Sequence, residues 1–306
     1  MNEIVYIDRI SQKEEIEQVY GAKFIELMYG KGFLSSIAKF CLTPAVCGSA
    51  IFSHLYGFLQ KSSFSQRKIL PFIETFQMDS SEFLDSVDSY RSFNEFFIRK
   101  LKPQARPICL DNATAILPAD ARYLVYENIS MTDGFLVKGK KFQLQELLQN
   151  PTLAKKYESG SMVIARLCPT DYHRFHFPFD CFAHPTTLIN GSLFSVNPLA
   201  LRKNIDIFTE NKRTITLLDT DLFGQVAFLE IGATCVGEIH QTFQPNTSYK
   251  KGEEKGYFSF GGSSLILLFE PNQIRLDKDL ITASQKRIEV KGLFGQSLGQ
   301  SITASK

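Results

Sequence analysis

The chain has 306 residues, and its formal net charge of +2 is too small to indicate a nucleic-acid partner. A hydrophobic fraction of 44% and a charged fraction of 22% are ordinary for a soluble globular protein of one large or two small domains. The six cysteines form no C-x-x-C pair, and the acidic start shows no signal peptide, so we expect free thiols in a reducing cytoplasm. They are Cys41, Cys47, Cys109, Cys168, Cys181 and Cys235.

The sequence of the first third of the chain predicts mainly helices. Ser11 is followed by two glutamates, which is typical of a helix start. Further along, Ser92 and Glu95 form a capping-box pattern, in which the two residues satisfy each other's backbone N–H groups. This pattern predicts a short helix that runs through Arg99. We therefore expect residues 1–107 to form a helical region.

From about residue 108 the pattern changes to short apolar runs rich in β-branched and aromatic residues, separated by Gly, Asn and Asp. The predicted strands are Tyr123–Tyr126, Phe135–Val137, Met162–Leu167, Thr214–Leu218, Val226–Ile231 and Ser264–Phe269. One amphipathic helix, Gln143–Asn150, interrupts them. The chain is therefore expected to have an α+β fold, with a β-rich catalytic domain containing hairpins over residues 108–306.

Two serines directly follow paired glycines in Gly261-Gly-Ser-Ser264, between two β-type runs. A serine on such a turn can attack the backbone carbonyl that precedes it. Gly262 leaves the approach to its carbonyl open, and glycine tolerates the unusual backbone angles of such a turn. Ser263 supplies the nucleophilic oxygen. Taken alone, the string is also typical of an ordinary flexible turn.

Six further blocks accompany this turn. They are Ser92-Phe-Asn-Glu-Phe-Phe-Ile-Arg-Lys-Leu-Lys102 with Ala105-Arg-Pro107, Leu117-Pro-Ala-Asp-Ala121, Leu167-Cys-Pro-Thr-Asp-Tyr-His-Arg-Phe-His-Phe-Pro178, Gly191-Ser-Leu-Phe-Ser-Val-Asn-Pro198, Phe208-Thr-Glu-Asn-Lys-Arg213 and Ile231-Gly-Ala-Thr-Cys-Val-Gly237. In this order the blocks resemble those of the phosphatidylserine decarboxylases over roughly residues 90 to 264. Three positions depart from the commoner family pattern: Gly261 and Ser264 at the turn, and Lys212, whose role the resemblance leaves unassigned. The Gly-Gly-Ser turn resembles that of a subgroup of the family, which keeps the Gly–Ser pair at the cut.

The resemblance implies a carboxy-lyase that converts phosphatidylserine to phosphatidylethanolamine and CO₂. It implies self-cleavage between Gly262 and Ser263 into a β chain, residues 1–262, and an α chain, residues 263–306. Ser263 would become a pyruvoyl group, a covalent cofactor that forms a Schiff base with the substrate amine and accepts the electrons released with CO₂. The partners it implies are the lipid substrate, a membrane surface and the two cleaved chains. A second copy of the chain is a further candidate partner, and no nucleic acid is expected.

By family position, Asp120, His176 and Ser263 would form a charge relay for self-cleavage, in which Asp120 orients the His176 imidazole that takes the serine proton. The residues alone leave open that Asp120 caps a turn and that His176 is a core histidine. His173 would serve the decarboxylation step as a proton donor. The flanking prolines predict an extended segment, so the two histidines face opposite sides unless the chain bends.

A metal site is a less favoured interpretation of His-x-x-His. Its further ligands would be Asp171, Cys181 or His184, but structural zinc prefers paired ligands at regular spacing, and no second pair is present. We therefore expect no metal.

Two other functions stay open at the level of sequence. Ser263 could persist as the nucleophile of a serine hydrolase that acts on lipid esters, although the G-x-S-x-G elbow typical of one large hydrolase class is missing. The β-rich domain could also be a non-catalytic protein that binds lipid surfaces, against which the intact Asp120, His176 and Ser263 argue.

The N-terminal region combines apolar and basic residues. Phe40 to Gln60 contains no Lys, Arg, Asp or Glu over 21 residues, but Pro44 and several polar residues dilute its hydrophobicity. It therefore predicts either a buried helical hairpin or an interfacial surface. The interfacial alternative, flanked by Lys31, Lys39, Lys61, Arg67 and Lys68, predicts peripheral attachment at the cytoplasmic side of the cell membrane.

Overall fold

A computed structural model describes residues 3–18, 57–130, 143–201, 204–233, 238–261 and 263–303. Its helices are α1 Ile69–Thr75, α2 Phe93–Phe97, α3 Leu144–Leu148, α4 Pro151–Tyr157, α5 Pro198–Leu201, α6 Ile207–Glu210 and α7 Lys278–Gln285. Short 3-10 helices span Ser63–Lys68, Ser80–Glu82, Val87–Ser89 and Pro103–Ala105. Within these ranges, no helix combines the length and the apolar composition that crossing a bilayer requires.

The strands lie almost entirely in the second two thirds of the chain. They are β1 Val5–Asp8, β2 Lys13–Ile16, β3 Thr114–Ile116, β4 Ala121–Tyr126, β5 Ser161–Leu167, β6 Arg174–His176, β7 Cys181–Ala183, β8 Thr187–Ile189, β9 Arg213–Thr220, β10 Gly224–Gly232, β11 Ile239–Gln241, β12 Thr247–Tyr249, β13 Glu254–Phe258, β14 Ser263–Phe269, β15 Ile274–Leu276, β16 Glu289–Gly292 and β17 Ser297–Ser301. The α+β fold expected from the sequence is confirmed.

The largest sheet has the strand order β12-β7-β9-β10-β14-β5-β4-β16-β1-β2, and β8 pairs with β9 beside this path. Two three-stranded sheets, β11-β13-β6 and β15-β17-β3, accompany it. Strand β14, which begins at Ser263, lies in the middle of the large sheet, antiparallel to both β10 and β5. All seven of its residues are buried, as expected of a central strand covered on both faces.

The alternation of side chains along β14 separates two hydrophobic clusters. Leu265, Leu267 and Phe269 belong to one cluster, which also contains the phenylalanines at 175 and 177 of the histidine block. Ile266 and Leu268 belong to the other cluster, which packs against α3 and α4. Because neighbouring residues of a strand point to opposite faces, the sheet has a distinct core on each side.

The prediction of a helix that begins at Ser11 is wrong. Lys13–Ile16 is strand β2, which forms an antiparallel hairpin with β1. Gln12 takes a positive φ of 57° in the turn, and Asp8 accepts backbone hydrogen bonds from residues 10 and 11. Strand β1 then pairs in parallel with β16. Tertiary pairing with the sheet thus overrides the local helix signal, and this hairpin joins the β-rich part of the chain.

Most of the other predicted elements are confirmed. The Ser92 side chain caps α2 by accepting a hydrogen bond from the backbone N–H of Glu95 at 3.2 Å. In the usual capping box the Glu95 carboxylate would accept from the backbone N–H of Ser92. Here it accepts instead from the backbone N–H of the preceding residue, Arg91, at 2.7 Å. The strand predicted at 135–137 and most of the apolar 40–60 stretch lie outside the described residues.

Candidate active site

Ser263 occupies the first position of β14 and is fully buried, at 0% exposure. Its partners across the sheet are Leu167 at the end of β5 and Gly232 at the end of β10. Its Oγ is buried and forms no hydrogen bond with the described residues. Gly261, two residues before Ser263, has a φ of 139°, a backbone conformation that residues with a side chain rarely adopt. Gly262 lies outside the described residues.

Ser263 and Ser264 face opposite sides of the sheet. Ser263 has the same parity as Leu265 and Leu267, so its side chain points toward the cluster that contains Phe175 and Phe177. Ser264 points to the other face, and its strand partner across β5 is Arg166. The two serines therefore face different clusters, and among the described residues no hydrogen bond joins either hydroxyl to His176.

The histidine block is extended, as its sequence predicts, and β6 spans Arg174–His176. The two imidazoles lie against different aromatic groups. The ring of His173 stacks on Phe97 with 3.9 Å between centroids, whereas the ring of His176 stacks on Phe294 at 3.8 Å. Residues three apart in a strand face opposite sides, which accounts for the separation.

His173 is connected to the surroundings of Ser263. Its Nε2 lies 2.8 Å from the carbonyl oxygen of Cys168, the residue after the Leu167 partner of Ser263. Its ring contact Phe97 also packs on Phe260, at 4.9 Å between centroids. Because a carbonyl can only accept, Nε2 carries the proton and Nδ1 is left with a lone pair. Burial lowers the pKa of His173 to about 3, so the ring is neutral at physiological pH.

His176 is connected to Asp120 through a third residue. Its Nδ1 lies 3.4 Å from the carbonyl oxygen of Pro118, which leaves the Nε2 lone pair as the basic position. Burial lowers the pKa of His176 to about 3 as well. Asp120 accepts a 2.8 Å hydrogen bond from the backbone N–H of Phe294, whose ring stacks on His176. Among the residues that the structure describes, no hydrogen bond joins Asp120 directly to His176.

Arg106 and Phe294 are the residues around Asp120 that sequence reasoning missed. The Arg106 guanidinium donates to both carboxylate oxygens of Asp120 at 2.7 to 3.0 Å and to Glu82 at 2.9 Å. Burial raises the pKa of Asp120, and the pairing with Arg106 opposes that shift. The lone arginine of Ala105-Arg-Pro107 was a usable signal, since a buried carboxylate needs a cation nearby.

Asn211 and Arg213 of the 208–213 block hold the end of β10 that pairs with Ser263. The Asn211 amide donates to the carbonyl oxygen of Gly232, the strand partner of Ser263, at 2.8 Å. The backbone of Lys212 adds a second connection, because its carbonyl accepts from the N–H of Gly232 at 2.9 Å. Arg213 donates four hydrogen bonds of 2.6 to 2.9 Å to backbone carbonyls. This block therefore fixes the end of β10 rather than supplying a reactive group.

The residues considered for a metal do not converge. The His184 Nε2 contacts Asp219 at 2.6 Å, and Asp171 accepts from the Arg122 side chain and from the backbone N–H of Cys168. In the described part of the chain, no group of three or more His, Cys, Asp or Glu side chains is arranged to hold a metal ion. Cys109, Cys168 and Cys181 are unpaired thiols.

The structure is an α+β fold with a fully buried candidate nucleophile and two buried, neutral histidines. A sequence model of the phosphatidylserine decarboxylases matches residues 93–300. Curated relatives called phosphatidylserine decarboxylase proenzyme include one from Chlamydia pneumoniae, 49% identical and aligned over 97% of each chain. Those from Chlamydia felis and Chlamydia caviae are each 45% identical over 99% of both chains. The chain belongs to the phosphatidylserine decarboxylase family, and it is a carboxy-lyase.

Proposed function

We propose that the chain is a precursor that cuts itself between Gly262 and Ser263, converts Ser263 to a pyruvoyl group, and then decarboxylates phosphatidylserine to phosphatidylethanolamine. The observation that carries this proposal is the Ser263 Oγ, which is buried without a described hydrogen-bond partner and directly follows the Gly262 carbonyl. Leaving a buried hydroxyl unpaired costs about 1–3 kcal/mol. The Ser264 Oγ is unpaired as well, but only Ser263 has a glycine before it and a side chain on the same face as Leu265 and Leu267. The word proenzyme in the relatives' names supports a precursor stage.

Self-cleavage begins when a base removes the Oγ proton and Oγ adds to the carbonyl carbon of Gly262. The peptide C–N bond then breaks, its nitrogen takes up a proton, and an ester joins the two residues. Loss of the Cα proton of residue 263 expels the Gly262 carboxylate and leaves a C=C bond. Water then replaces the nitrogen, ammonia leaves, and the α chain begins with a pyruvoyl group.

We assign the first proton transfer to His176 and its support to Asp120. The Nε2 lone pair of His176 is available because Nδ1 donates to Pro118. Asp120 holds the Phe294 backbone, and Phe294 holds the imidazole by stacking, so the carboxylate acts as a positioning group in the uncut chain. The buried negative charge of Asp120 also favours the imidazolium that forms when Ser263 loses its proton.

The residues around Ser263 fit a pyruvoyl group. The first position of a central strand gives it a fixed place, and the unpaired Oγ marks an atom that the fold leaves available for chemistry. The ketone would supply the electron sink that side chains lack, so that the electron pair left by CO₂ is delocalised. We assign to His173 the return of a proton to the substrate carbon, and its Nδ1, which has no hydrogen-bond partner among the described residues, is the atom that would carry that proton.

The two chains stay together after cleavage because the α chain lies inside the sheet. Strand β14 remains hydrogen-bonded to β10 and β5, and β16 remains hydrogen-bonded to β4 and β1. The partners of both strands belong to the β chain. A cut at the start of β14 removes one peptide bond and none of these strand pairings.

The attachment that we propose is peripheral and electrostatic. Phe58 and Phe64 are 70% and 72% exposed, beside the basic residues Arg67 and Lys68. The Arg67 guanidinium lies over the Phe64 ring, 4.1 Å from its centroid. Exposed aromatic rings beside cations are typical of surfaces that lie at the headgroup level of anionic bilayers. The proposed location is the cytoplasmic side of the cell membrane.

A denaturing gel combined with mass spectrometry of the active protein tests the proposed mechanism. We expect two chains, the smaller beginning at residue 263 and blocked to N-terminal sequencing by its pyruvoyl group. Ser263→Ala gives one uncut, inactive chain. The matched control is Ser264→Ala, which cuts normally because that side chain faces the other side of the sheet. A single full-length chain from active protein contradicts the mechanism and favours a serine hydrolase.

A further inference from the structure

Arg99 is a buried cation without a carboxylate partner among the described residues. Its side chain is 4% exposed and lies over the rings of Phe83 and Phe96, 4.9 Å from each centroid. Its guanidinium donates to the carbonyl oxygens of Phe96, Thr170 and Asp171 at 3.3 to 3.4 Å, longer than normal hydrogen bonds. Its Nε is buried and unpaired within the described ranges.

Other buried arginines of the chain differ from Arg99 in this respect. Arg122, Arg166 and Arg174 each form at least one ion pair with a carboxylate. Arg213 has no carboxylate partner among the described residues but donates four hydrogen bonds of 2.6 to 2.9 Å to backbone carbonyls. Arg99 has neither a direct ion pair nor short hydrogen bonds within the described ranges. Burial lowers the pKa of Arg99, although the charges of Asp120 and Asp171 partly offset that effect. A charge held in this way is costly unless an anion completes its surroundings.

Arg99 lies at the His173 side of the candidate active site. The carbonyls that it contacts, on Thr170 and Asp171, belong to the turn that leads into His173. Arg99 follows α2, whose Phe97 ring stacks on the His173 ring. An anion bound by Arg99 would therefore lie beside the residue assigned to proton transfer during decarboxylation.

We propose that Arg99 binds the phosphodiester of the substrate headgroup in the cut enzyme. This inference rests on the proposed function, because it needs the lipid substrate. The serine headgroup has two anionic groups, a carboxylate and a phosphodiester. The carboxylate loses its charge as CO₂ leaves, so an arginine paired with it would stabilise the ground state and slow the reaction. The phosphodiester keeps its charge throughout, which suits a binding group with a planar fork of N–H donors.

Binding to the cut enzyme is measured by titration calorimetry with two soluble probes that lack a reactive amine. Glycerophosphocholine carries the phosphodiester without a carboxylate, and N-acetylserine carries the carboxylate without a phosphodiester. We expect Arg99→Gln to weaken glycerophosphocholine binding by roughly tenfold or more. Arg99→Lys, which keeps the charge but loses the fork, should weaken it less. N-acetylserine binding should not change.

Lys100→Gln is the matched control, because it removes a positive charge from the adjacent, exposed position. It should bind both probes as the unchanged chain does. In steady-state kinetics, Arg99→Lys should raise KM for phosphatidylserine with little change in kcat, since the phosphodiester is the same in substrate and transition state. Self-cleavage and activity of the unchanged chain and of Lys100→Gln test the proposed function separately.

Equal glycerophosphocholine binding by the unchanged chain and Arg99→Gln overturns the proposal. So does a loss that affects N-acetylserine alone, which assigns the carboxylate to Arg99 instead. If Arg99→Gln does not fold or cut, Arg99→Lys is measured instead. Unchanged glycerophosphocholine binding and unchanged KM in Arg99→Lys also overturn the proposal.

Discussion

Asp120 and Arg106 form a buried ion pair in which the guanidinium contacts both carboxylate oxygens at 2.7 to 3.0 Å. The same carboxylate fixes the backbone N–H of Phe294, and the Phe294 ring lies against His176. The pair therefore connects a residue before the β-rich region to the predicted base of self-cleavage. In the uncut chain the first member of the predicted relay is held by a cation.

Removal of Arg106 should destabilise the protein and slow self-cleavage together. In Arg106→Gln, Asp120 is left as a buried carboxylate without its cation, which costs about 3–5 kcal/mol when one partner of such a pair is removed. Urea unfolding in the uncut Ser263→Ala background measures that loss. Cleavage is followed on gels with Ser263 intact, and Arg91→Gln, at an exposed position, is the control. Unchanged stability and cleavage in Arg106→Gln would show that the ion pair has no part in holding the site.

The two histidines should separate the two stages of the reaction. His176→Ala should slow self-cleavage by roughly 10²–10⁴-fold, the usual contribution of a general base. His173→Ala should still cut but lose decarboxylase activity. A cleavage time course and a CO₂-release assay on the same preparations measure both stages. The opposite result, a block of cleavage in His173→Ala alone, would exchange the two roles, and the link from His173 through Cys168 to the partner of Ser263 would then explain it.

The sequence predicted the strands well because a buried strand is a continuous apolar run. Five of the six predicted strands lie within strands of the structure, and Ser92 caps its helix as the local pattern requires. The hairpin of residues 5–16 could not be predicted, because its partner β16 lies far along the chain.

The burial of charged residues in the core could not be predicted from the sequence either. Lys255 and Glu230 are both fully buried and form an ion pair at 2.5 Å, with Thr216 and Gln241 as further acceptors for the lysine. A single sequence places such residues at the surface by default. Their burial depends on how β10, which carries Glu230, and β13, which carries Lys255, are placed relative to each other in the fold. The Arg106 and Phe294 contacts of Asp120 are hidden for the same reason, since 174 positions separate Asp120 from Phe294.

Binding to membranes should depend on anionic lipid and weaken as salt rises. In Arg67→Gln/Lys68→Gln, we expect a loss of about 2 kcal/mol in binding to phosphatidylserine vesicles at low salt, since each basic residue near the surface contributes about 1 kcal/mol. Vesicle sedimentation over a salt series measures it. Lys13→Gln/Lys155→Gln, at two other exposed positions, carries the same change in net charge and should bind normally. Protein that resists both salt and alkaline carbonate extraction contradicts peripheral attachment.

Glu17 should make the stability of the precursor sensitive to acid. Its carboxylate lies between two buried arginines, with Arg166 at 2.6 Å and Arg122 at 3.4 Å. Burial alone would raise its pKa, but the two arginines lower the pKa of Glu17 to about 2 from an ordinary value of 4.5. Below that ordinary value the unfolded chain binds the proton more readily than the folded chain, so stability falls as the pH falls from 4.5 toward 2.

The Glu17 contribution is about 3 kcal/mol above pH 4.5 and disappears near pH 2. Urea unfolding of the uncut Ser263→Ala protein across this range, with and without Glu17→Gln, isolates it, because other carboxylates contribute equally to both proteins. The stability gap between the two should be largest near neutral pH and close as the pH falls. Glu14→Gln, in the exposed strand of the same hairpin, should show no such gap. A gap for Glu17→Gln that stays constant from neutral pH to pH 2 would mean that Glu17 is not held as an anion by the two arginines.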